Sequence, residues 1–137
     1  MLRQHNLLEN VLTDIEEGIG KGVYTNTLAE KHALSEGHLR RLFRFAFRQP
    51  IASYIRSRKL TASLDDLLKT DSNILNIALN YGFSYEQSFI RAFKSEFGMT
   101  PGDFRRSRHI VKVETFVKEK AKMSANVHLV QEIASRY

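Results

Sequence analysis

Apolar residues recur in this chain at intervals of three and four, the spacing of one helix face, and no useful strand-like alternation appears before residue 109. Leu8, Val11, Leu12 and Ile15 share a face of a helix predicted over residues 6–17, which Gly18, Gly20 and Gly22 end. Thr27-x-x-Glu30 has the form of a capping box and opens a helix through about Ala33. Ser35 starts the next helix, to about Phe47, with Leu39, Leu42, Phe43 and Ala46 as its apolar stripe. Pro50 suits the first turn of a long helix to about Lys69, with Ile51, Tyr54, Ile55, Leu64, Leu67 and Leu68 at its buried positions. The segment 69–73 reads as a turn carrying the cap of a helix over 74–81. Ser84-x-x-Gln87 is expected to cap a helix to Phe97, with Phe89, Ala92, Phe93 and Phe97 facing inward and Gly98 closing it. Thr100-Pro101-Gly102-Asp103 opens a last short helix carrying Phe104. The predicted fold class is all-α.

Two of these stretches say the same thing about fifty residues apart. Leu28-Ala29, Ala33-Leu34-Ser35, Leu39, Arg41, Phe43-Arg44 and Phe47 are answered by Ile77-Ala78, Gly82-Phe83-Ser84, Phe89, Arg91, Phe93-Lys94 and Phe97. The offset is 49 up to the serine and 50 from Leu39/Phe89 onward, so the second copy holds one extra residue. Short helix, tight turn and longer amphipathic helix together make a helix-turn-helix, whose second helix can enter a DNA major groove. Opposite its apolar stripe the first long helix carries Gly37, Arg40, Arg41 and Arg44; the second carries Gln87, Ile90, Arg91 and Lys94. Arg binds guanine O6 and N7 through two hydrogen bonds, Gln pairs with adenine, and an apolar side chain meets a thymine methyl. Between the copies, a helix over 51–69 would span ~28 Å at 1.5 Å per residue. Successive major grooves on one face of a duplex lie about 34 Å apart.

Charge supports the same direction. The formal net charge is +6 over 137 residues, and a basic surplus favours polyanions through counterion release. Arg40, Arg41, Arg44, Arg48, Arg56, Arg58 and Lys59 crowd one part of the chain, and Arg91, Lys94, Arg105, Arg106 and Arg108 another. Several of these positions admit a second role. Gln87 either pairs with a base or completes a capping box with Ser84; Ile90 either meets a methyl or packs on a neighbour. Arg56, Arg58 and Lys59 either meet phosphates or form ion pairs with Asp65 and Asp66. The absence of cysteine excludes disulfides, thiolate metal sites and thiol nucleophiles. His5, His32, His38, His109 and His128 show no ligand spacing, and there is no Gly-rich phosphate loop, H-E-x-x-H or triad pattern. No metal, cofactor or catalytic residue is expected. No stretch of ~18 apolar residues marks a membrane span, and the first six residues lack the apolar run of a secretory signal.

The string Ile77-Ala78-x-x-x-Gly82-Phe83-Ser84-x-x-Gln87-Ser88-Phe89-x-Arg91-x-Phe93-Lys94-x-x-Phe97-Gly98-x-Thr100-Pro101-x-x-Phe104-Arg105, with Tyr54-Ile55-Arg56-Ser57-Arg58-Lys59-Leu60, resembles the DNA-binding domain of the AraC/XylS transcription regulators. The likeness runs from about Leu8 to Arg108 and is nearest in type to the small stand-alone activators of that family, of the MarA, SoxS and TetD kind. It implies two helix-turn-helix subdomains, a homeodomain-like pair, over about 27–47 and 74–97, joined by a linker helix over 50–69. A DNA-binding domain over 1–108 and a C-terminal extension over 109–137 follow. It also implies a bacterial, cytoplasmic and nucleoid-associated regulator that binds an asymmetric site on double-stranded DNA as a monomer and recruits RNA polymerase. Carried over by position, the base-reading residues are Gly37, Arg40, Arg41, Glu86, Gln87, Ser88, Ile90 and Arg91. The phosphate contacts are Ser35, Arg44, Arg56, Arg58, Lys59, Ser84, Lys94, Arg105 and Arg106. Three departures stand out: Gly37 occupies a position that often holds a large side chain, Glu86 puts a carboxylate near phosphates, where it either accepts from cytosine N4 or repels the backbone, and Arg48 replaces the usual glycine after the first copy's closing Phe. The extension fits a pair of packed helices, a partner-binding appendage or the start of a sensing domain.

Overall fold

The computed structural model describes residues 2–107, and the extension lies outside the described residues, as do Arg108, His109 and His128. Seven helices and no strand are found among the described residues. Their arrangement follows from two phenylalanine-rich cores that share one helix. The first core gathers Leu8, Val11 and Ile15 of α1 (Leu2–Gly18), Leu28 and Ala29 of α2 (Thr25–Lys31), and Leu39, Phe43 and Phe47 of α3 (Glu36–Phe47). The second gathers Ile77 and Ala78 of α5 (Ile74–Asn80), Phe89, Phe93 and Phe97 of α6 (Glu86–Phe97), and Phe104 of α7 (Pro101–Ser107). Between them runs α4 (Ile51–Lys69), whose first half gives Ile51, Tyr54 and Ile55 to the first core and whose second half gives Leu60, Leu64 and Leu67 to the other. A helix whose two ends are anchored in different cores fixes the distance and angle between the units.

The sequence repeat is a structural repeat. Phe43 and Phe47 meet edge to face at 4.5 Å and 65°, and Phe93 and Phe97 do so at 4.7 Å and 65°. Each unit turns between its helices through one left-handed residue, Ala33 (φ 56°) in the first and Gly82 (φ 84°) in the second. Each turn closes by the same backbone bond, Leu34 N–H to Ala29 carbonyl at 2.9 Å and Phe83 N–H to Ala78 carbonyl at 3.0 Å. Each long helix also ends left-handed, at Arg48 (φ 59°) and Gly98 (φ 80°).

The helix starts are less regular than the sequence implies. Ser35 caps α3, accepting from the His38 N–H at 3.1 Å, and Asn73 caps α5 through the Asn76 N–H at 2.7 Å. The capping box expected at Thr27 is not formed: α2 begins at Thr25, and the Thr27 hydroxyl donates to the Tyr24 carbonyl instead. Ser84 is likewise not a cap. The extra residue of the second copy is Tyr85, which takes the N-cap position of α6 and has no side-chain acceptor to offer its first N–H groups.

Polar ties complete the frame. Ser57 of α4 donates to the Glu96 carboxylate of α6 at 2.7 Å. Asp14 of α1 accepts from Lys31 at 2.8 Å and lies 2.7 Å from the His32 ring, joining α1 to α2. Burial works against the Asp14 charge, but hydrogen bonds from Lys31 and His32 outweigh it and hold the carboxyl below its ordinary pKa.

Candidate nucleic-acid interface

Burying Leu39, Phe43, Ala46 and Phe47 turns the other face of α3 to solvent, and that face is cationic. Arg40, Arg41 and Arg44 are all exposed. Arg40 pairs with Glu36 one turn earlier at 2.6 Å, an exposed contact that contributes little and is readily given up. Arg41 and Arg44 have no hydrogen-bond or ion-pair partner among the described residues. A β-carbon added at Gly37 would lie 3.3 Å from Nη1 of Arg41. The Arg41 guanidinium lies over Gly37, one turn back toward the helix start.

The same logic turns α6. With Phe89, Phe93 and Phe97 inside, Gln87, Ser88, Arg91 and Lys94 are exposed, and Glu86 and Ile90 are partly buried. Because Ser84 does not cap the helix, Gln87 is not its capping-box partner; its amide has no partner among the described residues and is left for another hydrogen-bonding surface. Ser84 is exposed in the turn before Tyr85, which is itself 74% exposed. Both helices thus present a donor-rich face, with one carboxylate, Glu36 or Glu86, in the first turn where the helix dipole favours negative charge. Ser35, busy with its own cap, marks the same end of α3.

The remaining cations divide by what they already hold. Arg56 and Lys59 on α4 have no acidic partner among the described residues, and burial lowers the Lys59 pKa. Arg106 is held by Asp103 on the surface of α7, which lowers the Asp103 pKa. Arg58 and Arg105, expected on phosphates, have partners within the fold. Arg58 donates twice to Glu16 of α1, at 2.7 and 3.2 Å, and that bond raises its pKa further. Arg105 donates to three backbone carbonyls, of Leu67 at 3.0 Å, Ser72 at 2.6 Å and Thr70 at 3.2 Å. Both guanidiniums are thus engaged inside the fold, where they tie helices together. The ion pairs envisaged with Asp65 and Asp66 are not formed by Arg56, Arg58 or Lys59; Asp65 faces Lys69 at 3.7 Å. Glu16 and the carbonyls of 67–72 come together only in three dimensions, so neither partnership is written in local spacing.

Nothing in the site calls for a metal: among the described residues no group of three acidic or histidine side chains gathers. No helix among them is long and apolar enough to cross a membrane.

Known proteins share this arrangement. A family model described as a helix-turn-helix domain matches residues 28–107. The chain is 36% identical over 107 residues to the probable transcription factor PqrA of Proteus vulgaris, a match covering 74% of this chain and 88% of that one. It is 36% identical over 104 residues to the right origin-binding protein of Escherichia coli K12, covering 76% of this chain but only 36% of the relative's length. In fold it is similar to an AraC-type DNA-binding transcriptional regulator of Chromobacterium violaceum, with a TM-score of 0.70 and 24% identity, covering 80% of this chain and 98% of the other.

Proposed function

The chain belongs to the AraC/XylS family of DNA-binding transcription regulators, and from that premise we propose that it binds one asymmetric duplex site as a monomer, with α3 and α6 in successive major grooves, and activates transcription there by recruiting RNA polymerase. Its place of action on this proposal is the nucleoid, in the cytoplasm. The DNA-binding unit is residues 1–108, with 109–137 as an appendage.

The observation that carries the proposal is the pairing of two outward cationic helix faces on opposite halves of one 19-residue helix. One chain then offers both reading heads, and no second copy is needed to span a turn of DNA. Arg40, Arg41, Gln87, Ser88, Ile90 and Arg91 sample base edges, Glu86 accepts from a cytosine N4 at the groove edge, and Gly37 lies under the Arg41 guanidinium. Arg44, Arg56, Lys59, Lys94 and Arg106, with Ser35 and Ser84, fix the register on phosphates. Leu75 and Leu79, 42% and 51% exposed and one turn apart on α5, support a protein partner. They lie on a helix that is not offered to the groove, and exposed apolar pairs of this kind suit a protein contact.

Selection of binding sites from random duplexes at two salt concentrations tests this. The expected result is an asymmetric motif of two blocks about ten base pairs apart. Recovery of no motif, with affinity collapsing in salt, would leave a charge-driven binder and move an interaction protein with secondary DNA contact to the front.

A further inference from the structure

A groove of about 230 Å³ opens between the two helix-turn-helix units, over the middle of α4. Tyr24, at the start of α2, forms one wall; Tyr81 and Phe83, in the turn leading to α6, form the other; Ala52 and Ile55 are its floor. Its lining is predominantly apolar and aromatic, and the charged groups in it are both cations, Arg56 and Lys59. No acidic residue lines it. The Lys59 ammonium lies 3.4 Å from where a β-carbon of Gly82 would stand, so it rests against the wall of the groove at ordinary contact distance. A half-buried ammonium without a carboxylate partner is a costly feature for the fold alone, as its lowered pKa reflects.

We propose that this groove binds a small aromatic carboxylate, its ring between Tyr24, Tyr81 and Phe83 and its carboxylate on Lys59 and Arg56. The size fits: a closed apolar cavity of about 150 Å³ takes up benzene, and this groove has room for a one- or two-ring ligand. Each feature meets one part of such a molecule, since the aromatic walls favour a flat ring and the paired cations demand a charge that a neutral hydrocarbon lacks. On the reading that Arg56 and Lys59 also meet phosphates, ligand and duplex compete for the same two charges, which makes the groove an effector site. The groove also touches the turn that leads into α6, so an occupant sits against the element that positions one reading head.

The test needs no DNA and so stands apart from that reading. Titration of 2-naphthoate into the full chain, followed by naphthalene fluorescence, is expected to saturate at one site. The neutral analogue 2-naphthalenemethanol is expected to bind at least about tenfold more weakly, through loss of the charge-assisted contacts to Lys59 and Arg56. Lys59→Met should weaken naphthoate severalfold, part of the way to the neutral compound because Arg56 remains, and leave the neutral compound's affinity unchanged. Ala52→Phe, which fills the groove from its floor, should abolish the binding of both, with circular dichroism confirming that each variant keeps its helices. Absence of saturable binding, equal affinity of the two compounds for the unaltered chain, or undiminished naphthoate binding by either folded variant overturns the assignment. The comparison of charged and neutral ligand needs no variant.

Discussion

The two helix-turn-helix units reach one architecture by different local chemistry. At the two left-handed positions the second unit has glycine, Gly82 and Gly98, and the first has Ala33 and Arg48. A β-carbon in that conformation costs roughly 1–2 kcal/mol, so the first unit carries strain that the second avoids. The helix starts reverse the advantage: α3 has the Ser35 cap, whereas α6 begins behind the uncapped Tyr85. The outward faces differ as well. The face of α3 is nearly all arginine, and that of α6 mixes an amide, a hydroxyl, an aliphatic residue and two cations. Base discrimination needs varied donors and apolar contacts, whereas phosphate affinity needs only charge. On the proposed function, the second unit is the more discriminating reader, while the first reads its block through Arg40 and Arg41 and adds more electrostatic grip.

The largest test of this contrast is in the cores. Phe93 touches three rings, Phe89, Phe97 and Phe104, and Phe43 touches two, Phe47 and Tyr54. Both alanine variants should lose about 3–5 kcal/mol in denaturant unfolding, with Phe93→Ala at the upper end; the opposite order would show that ring contacts do not set the cost. Next comes the sorting of cations. Arg105→Ala should cost about 2 kcal/mol of stability by leaving three carbonyls without their donor. Lys94→Ala should leave stability unchanged and lower the salt slope of DNA binding by about 0.9. A changed salt slope in a folded Arg105→Ala protein would return that residue to the phosphate set.

Smaller effects probe the turns. Ala33→Gly and Arg48→Gly should each stabilise the chain by about 0.5–1 kcal/mol, and Gly98→Ala should destabilise it by about 1 kcal/mol. A β-carbon at Gly98 meets nothing within 4 Å, so only backbone strain would act there. Thermal unfolding of the three proteins reads the signs directly. The smallest effect concerns acid. Asp14 has a lowered pKa in the fold, so its contribution is complete above the ordinary carboxylate value of ~3.9 and fades as the pH falls through the folded value. Asp14→Asn should remove about 0.5 kcal/mol near neutrality and leave a flatter stability curve in acid, measured by denaturant titration across pH.

How much of this was legible depended on how local the cause was. Helical spacing and the Phe repeat marked all seven helices, because burial of one face is written every third or fourth residue. Ser35 and Asn73 were readable as caps for the same reason. Ser84 matches Ser35 in sequence but not in place, because the copies differ by one inserted residue and Tyr85 takes the cap position. Arg58 and Arg105 were placed on phosphates because charge is visible in sequence and partners 38 or 42 residues away are not. Gly37 stands out in the sequence as a departure, but that the Arg41 guanidinium lies over it is visible only in three dimensions. The groove between the units had no sequence signature at all, since its walls come from three separate segments.

The central claim is that one chain reads two grooves with separable heads. Its most direct test is site selection repeated with Arg41→Ala and with Arg91→Ala. The account predicts that each variant erases information from one block of the motif and leaves the other intact, with the Arg91 change costing about 1–3 kcal/mol at a single base position. If both substitutions flatten the same block, or if each weakens all sequences equally, two-headed reading by a single chain is contradicted.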